Sequence, residues 1–202
     1  MKRERRFASS IQHALERLYG LDHTVDVRKF VVLADEGERE RLLVRESDDG
    51  DIEMMLRIPQ LARSEFDAEN DRDLDPMCQI IEGVSHFIYI AHRAAIQREA
   101  TRLELELQAE VDKYVVLATA LRVGARKSEA LRRRLFERVE FSDEASTDSG
   151  ERYRVANSVA DRFTRRLERH WITTGRFGEL RDELRRFFRM GQEEKLRFAR
   201  AA

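Results

Sequence analysis

The sequence predicts an α+β chain that is mainly α, with a small N-terminal α-β-β-β antiparallel meander followed by a helical bundle of about five helices. Three observations carry this expectation. Apolar residues recur at helical spacing along the start of the chain and again over most of residues 76–202. β-branched and aromatic runs at strand length occur only between Val25 and Ile58. Glycine is scarce and proline occurs only at Pro59 and Pro76, too few for a sandwich or barrel with many tight turns. The implied organisation is an α/β module over 1–59, an acidic linker over 60–75 and a helical bundle over 76–202.

Residues 7–19 read as a helix with Phe7, Ile11, Ala14, Leu15 and Leu18 on one face, stopped near Gly20. Val25, Val27 and the run from Phe30 to Leu33 predict the first strand, followed by a turn at Asp35-Glu36-Gly37-Glu38. Leu42 to Val44 is the second strand and Ile52 to Ile58 the third, with Asp48-Asp49-Gly50 as the hairpin turn between them. Asp75-Pro76 predicts a helix start, Asp as N-cap and Pro in the first turn. The helix over 77–97 places Met77, Ile80, Ile81, Val84, Phe87, Ile88, Ala91 and Ala95 on its apolar face.

Residues 103–112 alternate strictly, as a strand would, but Leu, Glu, Gln and Ala are strong helix formers, so 101–122 reads as one helix. Its stripe of Leu103, Leu107, Val111, Tyr114, Ala118 and Leu121 is opposed by Leu105, Ala109 and Val116, the pattern of a helix sandwiched at a bundle centre. A basic helix over 126–139, a Ser/Asp/Gly loop over 142–150 and an amphipathic helix over 151–172 come next. A last helical stretch carries Phe177, Leu180, Leu184, Phe187 and Phe188, with a break near Gly191.

Composition excludes several classes of function. Cys78 is the only cysteine, which leaves no internal disulfide and no thiolate zinc site. The first six residues are charged and no apolar run succeeds them, nor does any run reach the roughly 18–20 residues of a membrane span, so the expectation is a cytoplasmic protein. The net charge of −1 conceals a gradient: residues 1–75 carry −6, residues 76–150 carry −1 and residues 151–202 carry +6. Arginine outnumbers lysine by 33 to 5, so Arg is this chain's default cation and a single Arg cluster carries little weight.

Few constellations suit chemistry. Glu82, His86, Tyr89 and Arg93 fall in one row on the polar side of the first bundle helix. With Glu106 and Glu110 of the next helix, Glu82 and His86 could form half of a carboxylate metal site. The spacing, however, is Glu-x-x-x-His rather than the Glu-x-x-His of bundle metalloproteins. The plainer alternative pairs Glu82 with His86, stacks Arg93 on Tyr89 and sets Glu110 against Lys113 or an Arg. Glu110 lies within the apolar stripe, where a carboxylate must be paired, metal-bound or protonated. The acidic run Asp71, Asp73, Asp75 with Glu82 has a calcium-loop outline, but Pro76 stands where such a loop needs glycine.

A cationic set of Arg132, Arg133, Arg134, Arg162, Arg165, Arg166 and Arg169 could track phosphates. Glu129, Glu137, Asp161 and Glu168 intersperse it, which favours ion-paired helix faces over nucleic-acid binding. Ser85-His86 sits along a helix, and no Gly-x-Ser-x-Gly motif, phosphate loop or dinucleotide fingerprint exists. The sequence therefore predicts a non-enzymatic binding or regulatory protein that needs no cofactor and acts through a helical-bundle surface. The partner is a protein or a second copy, as a homodimer, and Phe177, Leu180, Leu184, Phe187 and Phe188 are the candidate interface. The carboxylate-metal enzyme and the nucleic-acid binder remain the alternatives.

Overall fold

The computed structural model describes residues 1–22, 25–47, 52–61, 71–120, 125–138 and 143–201. Among them it has seven α-helices and one three-stranded sheet, a mainly α protein with a small β part. The chain divides into two compact units. Unit 1 is Met1–Arg17 with Leu21–Arg98, and unit 2 is Leu18–Gly20 with Glu99–Ala202. The division falls at Arg98 rather than in the acidic linker, because the first long helix after the sheet packs on the sheet. Residues 62–70 of that linker, and the Asp48–Gly50 turn, lie outside the described residues.

In unit 1, α1 (Lys2–Tyr19) starts five residues earlier than its apolar spacing suggests and ends at Gly20, whose φ of 64° is the left-handed C-terminal conformation glycine allows. Its Gln12 works as a piece of strand. The side chain donates to the carbonyl of Val25 at 2.9 Å and accepts from the amide of Val27 at 2.9 Å. Val27–Lys29 is a 3₁₀ turn, with Asp26 accepting from the Arg28 amide, so the expected first strand shortens to β1 (Val31–Leu33).

β2 (Arg41–Glu46) and β3 (Ile52–Ile58) form the expected antiparallel hairpin, with Leu42 opposite Leu56 and Leu43 opposite Met55. The expected all-antiparallel meander is corrected: the strand order is β1-β3-β2, and β1 pairs with β3 in parallel. The turn at residues 35–38 does form, with Gly37 at φ 83° and the Glu38 amide bonded to the Asp35 carbonyl. It redirects the chain to the far side of the sheet instead of folding β2 back onto β1.

α2 (Asp71–Ala95) covers the sheet and corrects a second expectation. The helix begins at Asp71, so Pro76 lies inside it, where the missing amide forfeits one hydrogen bond close to the helix end. Asp75 does not cap; it accepts from Gln79 Nε2 at 2.7 Å, while Gln79 Oε1 accepts from the Glu40 amide at 3.0 Å. The helix closes on β3 at Gly83, where a Cβ would stand 2.6 Å from Leu56 Cδ1. Leu56 is fully buried and has nowhere to retreat. Gly83→Ala is therefore expected to destabilise the protein by about 1–3 kcal/mol as overpacking. Urea unfolding checks this, and an unchanged midpoint would disprove the close approach.

Unit 2 is built on α3 (Arg102–Ala120), the single helix that its helix-forming residues predict despite their strict alternation. It opens on a capping box: the Thr101 amide donates to Glu104 Oε2 at 2.7 Å and the Glu104 amide to Thr101 Oγ1 at 3.1 Å. Next along the chain are α4 (Ala125–Phe136) and α5 (Asp148–Leu167), α5 being capped by Thr147 and continued by a π-helical turn, Glu168–Ile172. α6 (Phe177–Arg189) and α7 (Gln192–Arg200) end the described chain. α3 packs most extensively on α5, where Ala109, Ala156 and Ala160 are buried. Stacked rings close the core, Phe163 on Phe187 at 4.4 Å and Tyr19 on Phe188 at 4.2 Å. Among the described residues no helix is long and apolar enough to cross a membrane.

Candidate functional site

The four candidate metal ligands divide between the units, Glu82 and His86 on α2 and Glu106 and Glu110 on α3. Within unit 1, Glu82 and His86 bring ligand atoms within 4.8 Å of each other, as their four-residue spacing requires. His86 Nδ1 also lies 3.9 Å from Glu40 Oε1, a carboxylate contributed by the segment between β1 and β2. The row containing them is not the solvated face expected of it. His86 is 8% exposed, Arg93 4% and Tyr89 0%, while Glu82 is half-buried. Arg93 does stack on Tyr89, at 5.1 Å from the ring centroid, and donates to its hydroxyl at 2.8 Å.

Within unit 2, Glu106 faces Arg152 at 3.9 Å, and Glu110 accepts from Lys113 at 2.7 Å. Glu110 is only half-buried, so the plainer pairing accounts for it. The fully enclosed polar groups of α3 are others: Gln108 at 0% and Asp112 at 1% exposed. Lys195 of α7, also 0% exposed, donates to Gln108 Oε1. Gln108 Nε2 donates to the Tyr19 hydroxyl at 2.9 Å and to Asp112 Oδ1 at 3.0 Å, and the Tyr19 hydroxyl donates to Asp112.

A cation thus stands at one end of a buried hydrogen-bonded chain and a carboxylate at the other. The Lys195 ammonium also lies 4.4 Å from the Phe187 ring centroid. Burial, with the charge of Asp112 and its hydrogen bond, pushes the Tyr19 phenol well above its ordinary pKa. Sequence reasoning missed this group. The available signal was a lysine in a chain with 33 arginines and five lysines.

The arginine set is split by its surroundings. Arg132, 3% exposed, bonds Asp161 at 2.5 Å and Glu168 at 3.1 Å, so it holds helices together and does not face solvent. Burial by itself would lower its pKa, but the bonds to Asp161 and Glu168 raise it. Arg165 pairs with Asp161 at 2.9 Å and Arg133 with Glu129 at 2.8 Å. Arg166 pairs with Glu183 at 2.9 Å and covers the Phe163 and Phe198 rings. Arg134 is half-buried, and Arg162 and Arg169 are exposed. A continuous phosphate track along these positions is therefore interrupted by internal ion pairs.

The C-terminal apolar stripe lies mostly inside unit 2. Leu184 and Phe187 are 0% exposed and Phe188 2%, filled from inside by Tyr19, Phe163 and Lys195. Leu180 is half-buried and Phe177 alone stays open, at 59%. Removing residues 176–202 would therefore take Leu184, Phe187 and Phe188 out of the core of unit 2. The class this fold and these groups define is a mainly α chain with a small mixed-sheet unit. No family model, no curated protein and no solved structure matches it.

Proposed function

We propose that the protein is a non-enzymatic binding protein whose contact surface is the β2–β3 hairpin of unit 1, and that its partner is an extended segment of another protein laid along β2. One observation carries this reading. Of the eight large hydrophobic residues exposed among the described residues, Leu43, Val44, Ile52 and Met55 stand on this hairpin, 39–45% exposed. β2 is also an edge strand of the sheet, with β3 on its one paired side. Apolar side chains on an edge favour strand addition, in which main-chain hydrogen bonds supply affinity and alternate side chains supply specificity.

The ladder sets the chemistry of the partner. Leu43 and Met55 are directly opposed and share one face, flanked there by Arg41 and by the Arg45–Glu53 ion pair at 2.6 Å. An incoming strand with an apolar and an acidic residue two positions apart, and so on one face, would cover Leu43 and meet Arg41. A second copy of the chain fits less well. Two-fold antiparallel pairing of β2 centred on Leu43 sets Arg41 opposite Arg45 of the copy, a like-charge contact.

A synthetic peptide repeating valine-threonine-glutamate-threonine, which sets valine and glutamate in turn along one face, tests the reading. Binding with slowed amide hydrogen exchange confined to β2 is expected, weakened roughly tenfold or more by Leu43→Asp, since each good edge contact contributes on the order of 1 kcal/mol and the new carboxylate is repelled by the glutamates of the peptide. Absence of β2 protection, or equal affinity in Leu43→Asp, would refute it.

A further inference from the structure

We infer that a cavity of about 310 Å³ on unit 2, between α5 and the end of α7, binds a small phosphomonoester dianion. It goes beyond the hairpin reading and stands independently of it. Arg154, Ser158 and Arg162 recur at four-residue spacing and so form one row of α5, and Arg200 of α7 lines the same cavity. The volume lies at the small end of the range for small-molecule sites, roughly 300–1,000 Å³.

The cations differ in how they are held. Arg154 is fixed by its own backbone surroundings, donating to the carbonyls of Asp143 at 3.1 Å and Gly150 at 2.9 Å. Those bonds orient the guanidinium. Arg162 and Arg200 are exposed, and neither has a carboxylate partner among the described residues. Glu151 is the one acid on the lining. Three guanidinium groups against one carboxylate leave two positive charges, the complement of a phosphomonoester dianion, and the Ser158 hydroxyl can donate to a further oxygen.

The remaining lining explains the preference for an organic phosphate. Val155, Val159 and Ala145 give the cavity an apolar part that inorganic phosphate would leave empty. The next turn of the helix disfavours an extended polynucleotide. Arg165 and Arg166, the first cations beyond Arg162, are engaged with Asp161 and Glu183, so the positive charge is gathered at one cavity and does not continue as a track.

Titrating the full ¹⁵N-labelled chain with phenyl phosphate, inorganic phosphate and a short oligothymidylate in parallel tests this. Saturable amide shifts at Ser158 and Arg162 are expected, with phenyl phosphate bound more tightly than inorganic phosphate. Arg162→Gln and Arg200→Gln should each weaken phenyl phosphate roughly tenfold, the loss of one charge-assisted hydrogen bond, with the helical circular dichroism unchanged. Three results would overturn the assignment. They are no saturation below about 10 mM, equal affinity in both variants, or tighter oligothymidylate binding with shifts running on to Arg169 and Arg133.

Discussion

Lys195→Ala is expected to destabilise the protein by about 3–5 kcal/mol, the scale for removing one member of a buried ionic group. The side chain is fully enclosed, so two losses add. Its ammonium no longer donates to Gln108 or rests on the Phe187 ring, and the removed methylenes leave a void in a close-packed core. The effect reaches beyond α7, because Gln108 hands its own hydrogen bonds to Tyr19 and Asp112. The carboxylate end of that chain then stays buried with its balancing cation gone.

Lys195→Met separates the two losses, since it keeps most of the volume and removes the charge. Adding Asp112→Asn to Lys195→Met should recover part of the deficit, because an uncharged pair does not carry the cost of an unbalanced buried carboxylate. Urea unfolding of the four proteins in this cycle gives the coupling directly. A loss below 1 kcal/mol for Lys195→Ala, or strict additivity in the cycle, would show that the ammonium contributes no more than a surface cation.

What the sequence revealed and what it concealed separate along a physical line. Local chemistry was legible. Gly20 ends α1 because only glycine takes that φ cheaply, and the helix formers of residues 103–112 outweighed their strand-like alternation. Strand order was not, because placing β3 between β1 and β2 depends on how the sheet meets α2 at Gly83, a non-local contact. Polar burial was hidden for a different reason. Periodicity assigns Gln108, Asp112 and Arg132 to water by residue type, whereas their burial depends on partners from distant segments. The same blindness made Leu184, Phe187 and Phe188 look like an interface, because the residues that cover them include Tyr19, far back along the chain.

Arg132→Ala is expected to cost a further large amount, again about 3–5 kcal/mol. The guanidinium ties α4 to Asp161 of α5 and to Glu168 of the π-helical turn, and it lies 3.7 Å from Glu137. Without it, the partly buried carboxylates of Asp161 and Glu168 remain beside one another with less positive charge between them. Arg132→Lys should recover only part of the loss, since one ammonium cannot reproduce a fork that reaches two acids from different nitrogens. Arg133 is the internal control. It is the next residue in sequence, exposed and paired one turn away with Glu129, so Arg133→Ala should change stability by no more than about 0.5 kcal/mol. Salt sharpens the contrast, because screening acts on the exposed pair and hardly reaches the enclosed one. The Arg132→Ala deficit should therefore persist at high ionic strength. Equal effects at the two positions, or a deficit that salt abolishes, would place Arg132 on the surface with its neighbours and undo its assignment as the tie between α4 and α5.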